Sequence, residues 1–357
     1  MRPPVRRVLA LDAGSRRIKL LLAESELGRP RTLKEELIDL QAEGLVAAEE
    51  IQAHLQARLE EWHHPPLALV LPQHLSISQV LDLPLAPESE VDKLIQNETR
   101  KLGGVSESRI VYDFVRTETA AENRQQFWVT LAQEGDIRER IRRLGIEQED
   151  LCEVSTTANA LIAAYRAANP ASSRAILVHL GAQTTVLVIL LAGQGVFATS
   201  FQMGGDFFTR SVARLRRCSE EAAESLKCNQ DLLAGPDACP EFAGVVDGWV
   251  AELKRQLNEW FDRNSSVAPE AASFELVGSG GALEQTGLMD YLKTQAGLDM
   301  RPWPGSTQPG AASPSRCFEV AFWAALQGLG QSAQPVSLLP DDYRLAWQKR
   351  RRLQRFE

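Results

Sequence analysis

The stretch "DAGSRRIK" places Asp12, Gly14, Ser15 and Lys19 within eight residues. A hairpin turn of this kind offers the N–H groups of Gly14 and Ser15, a hydroxyl and an ammonium to a polyphosphate, while Asp12 is suited to hold a hydrated Mg2+. A second stretch, "HLGAQTT", repeats the pattern with Gly181, Gln183, Thr184 and Thr185. Gly181 follows Gly14 by 167 residues (181 − 14), and at that same offset His179 stands where Asp12 stands. A third, "LVGSGGAL", ends an apolar run with Gly278, Gly280 and Gly281, where missing side chains let a ligand approach the backbone. Taken singly, each is an ordinary polar or capping turn. In order, the three turns suit a nucleotide phosphate tail gripped between two lobes.

The elements that must position these turns occur in two rounds. Around the first turn the pattern predicts strands at residues 8–11, 18–24 and 33–40, a helix from about 47 to 62, and the buried strand "LALVLP". Residues 73–149 then change texture, with strand, helix, two strands and helix, the order of a small α+β insertion. After the helix "TANALIAAYRAAN" the three-strand unit restarts at "AILVHLG", and further helices and the strand of the third turn follow. Internal duplication of an α/β unit is the architectural expectation.

Composition sets the class. With 357 residues, 44% of them hydrophobic, the chain can bury a full core and divides into about two domains. Its formal charge of −8 argues against nucleic acid as the main partner. Five cysteines without C-x-x-C spacing read as reduced structural thiols in the cytoplasm. The apolar run at the amino terminus is too short for a signal peptide, and none reaches the roughly 18 residues of a membrane helix.

The three turns, with an α+β piece inserted in the first unit, resemble the actin-like ATPase superfamily, and more narrowly the PilM-like family of type IV pilus assembly in its FtsA/PilM branch. The resemblance rests also on "VLPQHLSISQVLDLPL" followed by "VDKLIQNETRKL", on "VFATSFQMGGDFFTRSVA" and on "VAELKRQLNEWFDRNSS". It implies a duplicated actin-like (ribonuclease H-like) α/β fold of two lobes with an inserted α+β subdomain. The implied first lobe takes residues 5–72, 150–170 and 315–330, the insertion 73–149, the second lobe 171–314, and a linker, partner motif and basic tail 331–357. ATP between the lobes is implied. Asp12, Gly14, Ser15 and Lys19 would form one phosphate loop and Gly181, Gln183, Thr184 and Thr185 the other. Gly278, Gly280 and Gly281 would lie near the adenosine, with Glu252 and Arg255 beside the base.

The chain departs from this pattern in three places. The family usually has aspartate at the position of His179, and a neutral imidazole does not replace a carboxylate as an oxygen ligand for Mg2+. Ser155 stands where a glutamate is usual, which removes a candidate for orienting an attacking water. Gln256 replaces a serine common beside the base. Either His179 donates to a phosphate and nucleotide binds without useful turnover, or the pocket is degenerate, and a histidine capping its own turn is the plain alternative. The expectation is a pseudo-ATPase or a very weak ATPase, with Asp12 the one possible ligand to a Mg2+-bound water and no catalytic or metal residue otherwise assigned.

The tail "PVSLLPDDYRLAWQKRRRLQRFE" is similar to the cytoplasmic tail of PilN, the membrane partner of PilM-like proteins, through Val336, Leu338, Leu339 and Pro340, with Ser337 in place of asparagine. The implied partner is a PilN-like tail, which is this chain's own, a neighbouring copy's or a separate protein's, together with inner-membrane pilus assembly proteins. Lys349, Arg350, Arg351 and Arg352 would then lie at the cytoplasmic face of the inner membrane, so that a cytoplasmic protein is held there by its basic tail or its partner. The function implied is a nucleotide-binding scaffold of type IV pilus or related secretion assembly. An FtsA-like membrane-associated filament protein and an active ATPase or kinase of the same fold are the alternatives.

Overall fold

The apolar run at residues 8–11 is the centre of β1 (Arg7–Ala13), which hairpins through the first turn into β2 (Arg17–Glu26), followed by β3 (Arg29–Asp39). The computed structural model describes residues 7–26, 29–103, 109–117, 123–169, 174–265, 273–303, 317–332 and 335–353. The chain divides into two units. The first comprises Met1–Ala171, Gln194–Thr199 and Pro304–Glu357, and the second Ser172–Gly193 and Ser200–Trp303. The domain boundaries expected near residues 171 and 314 lie outside the described residues.

In the first unit, helix α1 (Ala48–Glu61) leads into β4 (Leu67–Leu71), which lies parallel to β1. With β8 (Leu151–Thr156) the sheet order is β3-β2-β1-β4-β8, so β8 is an edge strand. β1 and β4 are almost wholly buried, as apolar runs without alternation require. Helices α4 (Thr157–Ala168) and α9 (Glu319–Gly328) belong to the same unit, and the Thr156 hydroxyl caps α4 by accepting from Asn159 N–H.

Residues 73–149 form β5 (Ser76–Pro84), α2 (Glu88–Leu102), β6 (Ile110–Arg116), β7 (Arg124–Gln133) and α3 (Glu134–Arg143), in the order read from the sequence. β7 lies between β5 and β6 with both pairings antiparallel, and β5 also pairs with β11 (Gln194–Phe201). Leu81, Leu83, Val91, Ile95, Phe127 and Val129 give this piece its own core.

The second unit repeats the first. Strand β9 (Arg174–Leu180) hairpins into β10 (Thr185–Leu191), and β12 (Glu275–Ser279) returns parallel to β9, as β4 does to β1. Strand β13 (Met300–Pro302) takes the place corresponding to β8. Helices α5 (Gly205–Arg216), α6 (Glu220–Asn229), α7 (Pro240–Arg263) and α8 (Leu288–Thr294) complete the unit. Buried Phe208, Phe242 and Trp249 pack edge to face at its centre.

Helix α10 (Asp341–Leu353) ends the described chain. No helix among the described residues is long and apolar enough to cross a membrane.

Candidate functional site

The antiparallel register of β1 and β2 sets Asp12 opposite Lys19, and the Lys19 ammonium holds the Asp12 carboxylate at 3.2 Å. Burial alone lowers the Lys19 pKa, and the Asp12 charge and hydrogen bond outweigh it, so the value lies above the usual 10.5. Gly14 and Ser15 are exposed at the tip of the turn. The sequence offered both of their N–H groups to a ligand, but the hairpin spends the Gly14 N–H on Arg17 O at 2.9 Å. The Ser15 N–H takes part in no described hydrogen bond. A side chain that sequence reasoning missed also reaches this turn: Arg140 of α3 donates to Ala13 O and is drawn to the Asp12 charge. Nothing in the spacing of "DIRERIRRLG" distinguishes this arginine from its neighbours, because only the packing of α3 brings it here.

The second copy of the turn differs in chemistry. His179 faces Val186 across its hairpin, as Asp12 faces Lys19 in the first, so one duplication offset replaces an ion pair by an imidazole and an alkyl group. The buried His179 ring finds its partner on the next strand, with Nδ1 2.9 Å from Ser279 Oγ, the register neighbour on β12. Gln183 is exposed, Thr184 half-buried and Thr185 fully buried. The Thr185 hydroxyl donates to Met203 O at 2.5 Å and accepts from Trp249 Nε1 at 2.8 Å, which fixes β10 to the core beneath the turn.

The third loop lies against the second turn. Gly280 has φ +96°, and a Cβ there would stand 2.4 Å from Leu180 O, so only glycine fits this approach to β9. At Gly278 the obstacle is packing, with Met300 Sδ 2.5 Å and Leu283 Cδ1 2.7 Å from an added Cβ, whereas Gly281 is open. Helix α5 begins on the second turn, Gly205 N–H donating to Gly181 O at 2.9 Å and Asp206 N–H to Ala182 O at 2.8 Å. Beside it is another residue the sequence reading passed over. The buried Lys227 of α6 donates to Thr209 Oγ1 at 2.7 Å and Gly205 O at 3.2 Å and pairs with Glu224 at 2.7 Å. The i,i+3 spacing of Glu224 and Lys227 was the available signal. Glu252 and Arg255, on α7, pair with each other at 2.7 Å, and no described hydrogen bond joins them to either glycine turn.

The tail is seated on the first unit. Val336, Leu338 and Leu339 are buried, the two leucines within the apolar cluster that includes Leu69, Val154, Ile137 and Ile141. Leu338 N–H donates to Val154 O at 2.8 Å, so the tail takes an outward carbonyl of edge strand β8. Ser337 N–H donates to Asp113 Oδ2 at 2.9 Å. Val336 O accepts from Gln327 Nε2, and that side chain also reaches Glu153 Oε1 and accepts from the Ser155 hydroxyl at 3.1 Å. Ser155, expected where the family has a glutamate, is thus part of a buried polar group beneath the tail. Beyond Pro340, Arg109 pairs with Asp341 at 2.8 Å and Arg138 with Asp342 at 2.9 Å. Arg350 pairs with Asp150, and Trp347 is buried. The basic run therefore divides: Arg350 is engaged by the protein while Lys349 and Arg352 are exposed.

Asp12 is already engaged by a lysine, and no group of three or more histidine, cysteine, aspartate or glutamate side chains among the described residues is placed to hold a metal.

No family model and no curated protein sequence matches the chain. Among solved structures it is similar to a chain of the PilM-PilN type IV pilus biogenesis complex, at a TM-score of 0.67 and 19% identity over 92% of this chain and 99% of that one. At a TM-score of 0.49 it overlays the ethanolamine utilization protein EutJ of Carboxydothermus hydrogenoformans (14% identity, 91% and 90% covered). The same score is found for ADP-bound MreB5 of Spiroplasma citri (13%, 90% and 95%). The duplicated strand order, the inserted piece and the near-complete overlay on the first of these give the fold: two α/β units of repeated strand order with an inserted α+β piece, the fold of that chain of the PilM-PilN complex.

Proposed function

We propose that this chain is a PilM-like nucleotide-binding scaffold for a type IV pilus or related secretion machine, and that it carries its own PilN-like tail. The observation that carries the reading is the seat of residues 336–339. A five-residue motif singled out by its likeness to a membrane partner's tail is buried in the chain's own apolar cluster and hydrogen-bonded to an edge strand. The fold it shares with a chain of the PilM-PilN complex supports the same reading.

Each unit carries one phosphate turn. The first would contribute Asp12, Gly14, Ser15 and Lys19, and the second Gly181, Gln183 and Thr184 with Gly280 and Gly281 beside them, while Thr185 holds the turn in place. Bound nucleotide would supply a phosphate chain for these groups to hold. Turnover is weak or absent in this reading, because His179 is committed to Ser279 and Ser155 to Gln327. Exposed Lys349 and Arg352 would face anionic lipid and would hold the protein at the cytoplasmic side of the inner membrane. The filament reading needs an apolar face on α10. With Trp347 buried, only Leu345 and Leu353 remain as its large exposed apolar residues.

The test is peptide uptake. A labelled peptide of residues 335–353 is titrated into the full chain and into Leu338→Asp, whose own tail is expelled because a carboxylate would lose its hydration in an apolar seat. Anisotropy should rise with the variant and remain flat with the parent. A variant that folds and takes up no peptide would sink the proposal.

A further inference from the structure

Helix α3 touches both the first phosphate turn and the tail, and does so with different sides. Arg140 reaches the turn, donating to Ala13 O. Two residues earlier, Arg138 holds Asp342 at 2.9 Å and lies 5.4 Å from the Tyr343 ring centroid. Residues two apart on a helix point about 200° from one another. Between these arginines the buried Ile137 and Ile141 pack in the cluster that receives Leu338 and Leu339. The helix is wedged between turn and tail.

Asp12 serves two cations at the turn. Among the described hydrogen bonds Asp12 is the one carboxylate bound to Lys19, and it is also the carboxylate nearest in effect to Arg140. Burial lowers the Arg140 pKa and Asp12 offsets this in part. Its Nε is buried and has no hydrogen-bond partner. Asp12 is thus shared by Lys19 and Arg140 at a turn whose tip is exposed, and the Glu319 charge reaches Lys19 but not Arg140. A phosphate oxygen would give the guanidinium the charge-assisted bond that a backbone carbonyl only approximates.

We propose that Arg140 is a phosphate-binding residue of the first turn, contributed by the inserted segment, and that through α3 an occupied turn tightens the seat of the tail. This rests on the phosphate reading of the turn given above. With phosphate present Arg140 gains a partner that fixes α3, and a fixed α3 holds Arg138, Ile137 and Ile141 where the tail needs them. A ligand shifts an equilibrium only by its differential interaction with the two states, and here that difference is the Arg140 bond. The chemistry is that of a phosphate chain, shared by a nucleotide and inorganic triphosphate.

Hydrogen exchange at the Leu338 amide of the full chain tests it, with ATP and, separately, with inorganic triphosphate. ATP should slow that exchange about five- to tenfold, the range of a typical coupling. Slowing by ATP alone identifies a nucleotide as the source, and slowing by both shows that the phosphate chain suffices. Arg140→Gln should bind ATP about tenfold more weakly and lose the slowing, and Arg140→Lys should recover part of each. By reciprocity, Leu338→Asp should weaken ATP binding by the factor by which ATP slows exchange in the parent. If Arg140→Gln equals the parent in ATP affinity and in protection, the proposal fails while the nucleotide reading stands. If the parent binds neither ATP nor triphosphate, both fail. Thermal midpoints establish that each variant folds, and Arg140→Lys serves where the glutamine variant does not.

Discussion

At the scale of the residue, the duplication shows how one position changes its chemistry. Asp12 keeps a cross-strand lysine, and its counterpart His179 faces a valine and turns to Ser279. Restoring a carboxylate should restore a metal preference. In calorimetry the parent is expected to bind ATP without regard to Mg2+, and His179→Asp to bind it more tightly with Mg2+ present. Equal binding by the variant with and without the ion would show that the histidine is not what removes the metal. His74, in the 3-10 turn Gln73–Leu75 between β4 and β5, gives a pH prediction. Burial and then Arg140 lower its pKa below 6.5, with Asp136 opposing. The neutral ring is favoured on folding, so its contribution is complete above the unfolded value and is lost as pH falls through 6.5 toward the folded pKa. Melting between pH 7.5 and 5.5 should show a smaller loss of stability in His74→Gln than in the parent, and equal losses would rule the group out.

At the scale of the element, most of what the sequence proposed is present. The apolar runs of β1, β4 and β9 give strands, and the alternating texture of residues 73–149 gives the insertion. What periodicity could not supply was the use made of each polar group. Gly14 N–H and the Thr185 hydroxyl looked available and are spent within their own unit, the first in closing its hairpin and the second because a buried donor must be satisfied. Arg140 and Lys227 looked ordinary and stand beside the turns. The glycines divide in the same way: Gly280 is required by its positive φ and by Leu180 O, which an added Cβ would meet at 2.4 Å, and Gly278 by Met300. Gly280→Ala should therefore destabilise the chain by about 1–3 kcal/mol, as a strained φ and a backbone clash together require. Urea unfolding measures this, and an unchanged midpoint would mean that β9 and β12 separate at no cost.

For the whole molecule the consequence lies in the tail. Burying Leu338 and Leu339 is worth about 1.5–3 kcal/mol for each side chain, against the cost of ordering the segment. A chain ending at residue 334 should melt several degrees lower and bind a hydrophobic dye at the uncovered cluster. A melting temperature equal to the parent's would show that the seat adds nothing to stability. The parent should take up an added tail peptide only as its own tail leaves. The groove therefore answers to a competing partner by exchange, at a rate set by opening of residues 335–353.

The sequence by itself determined the duplicated α/β architecture, the inserted piece and the positions of the glycine turns, because strand periodicity and turn glycines are local properties of a chain. It also marked residues 336–340 as a docking motif. Only the tertiary structure decided that the motif sits on this chain's own first unit, that His179 serves Ser279, and that α3 carries one arginine to the turn and another to the tail. Those outcomes depend on which residues far apart in sequence come within about 3 Å of each other, and a hydrogen bond is settled by that distance rather than by residue type.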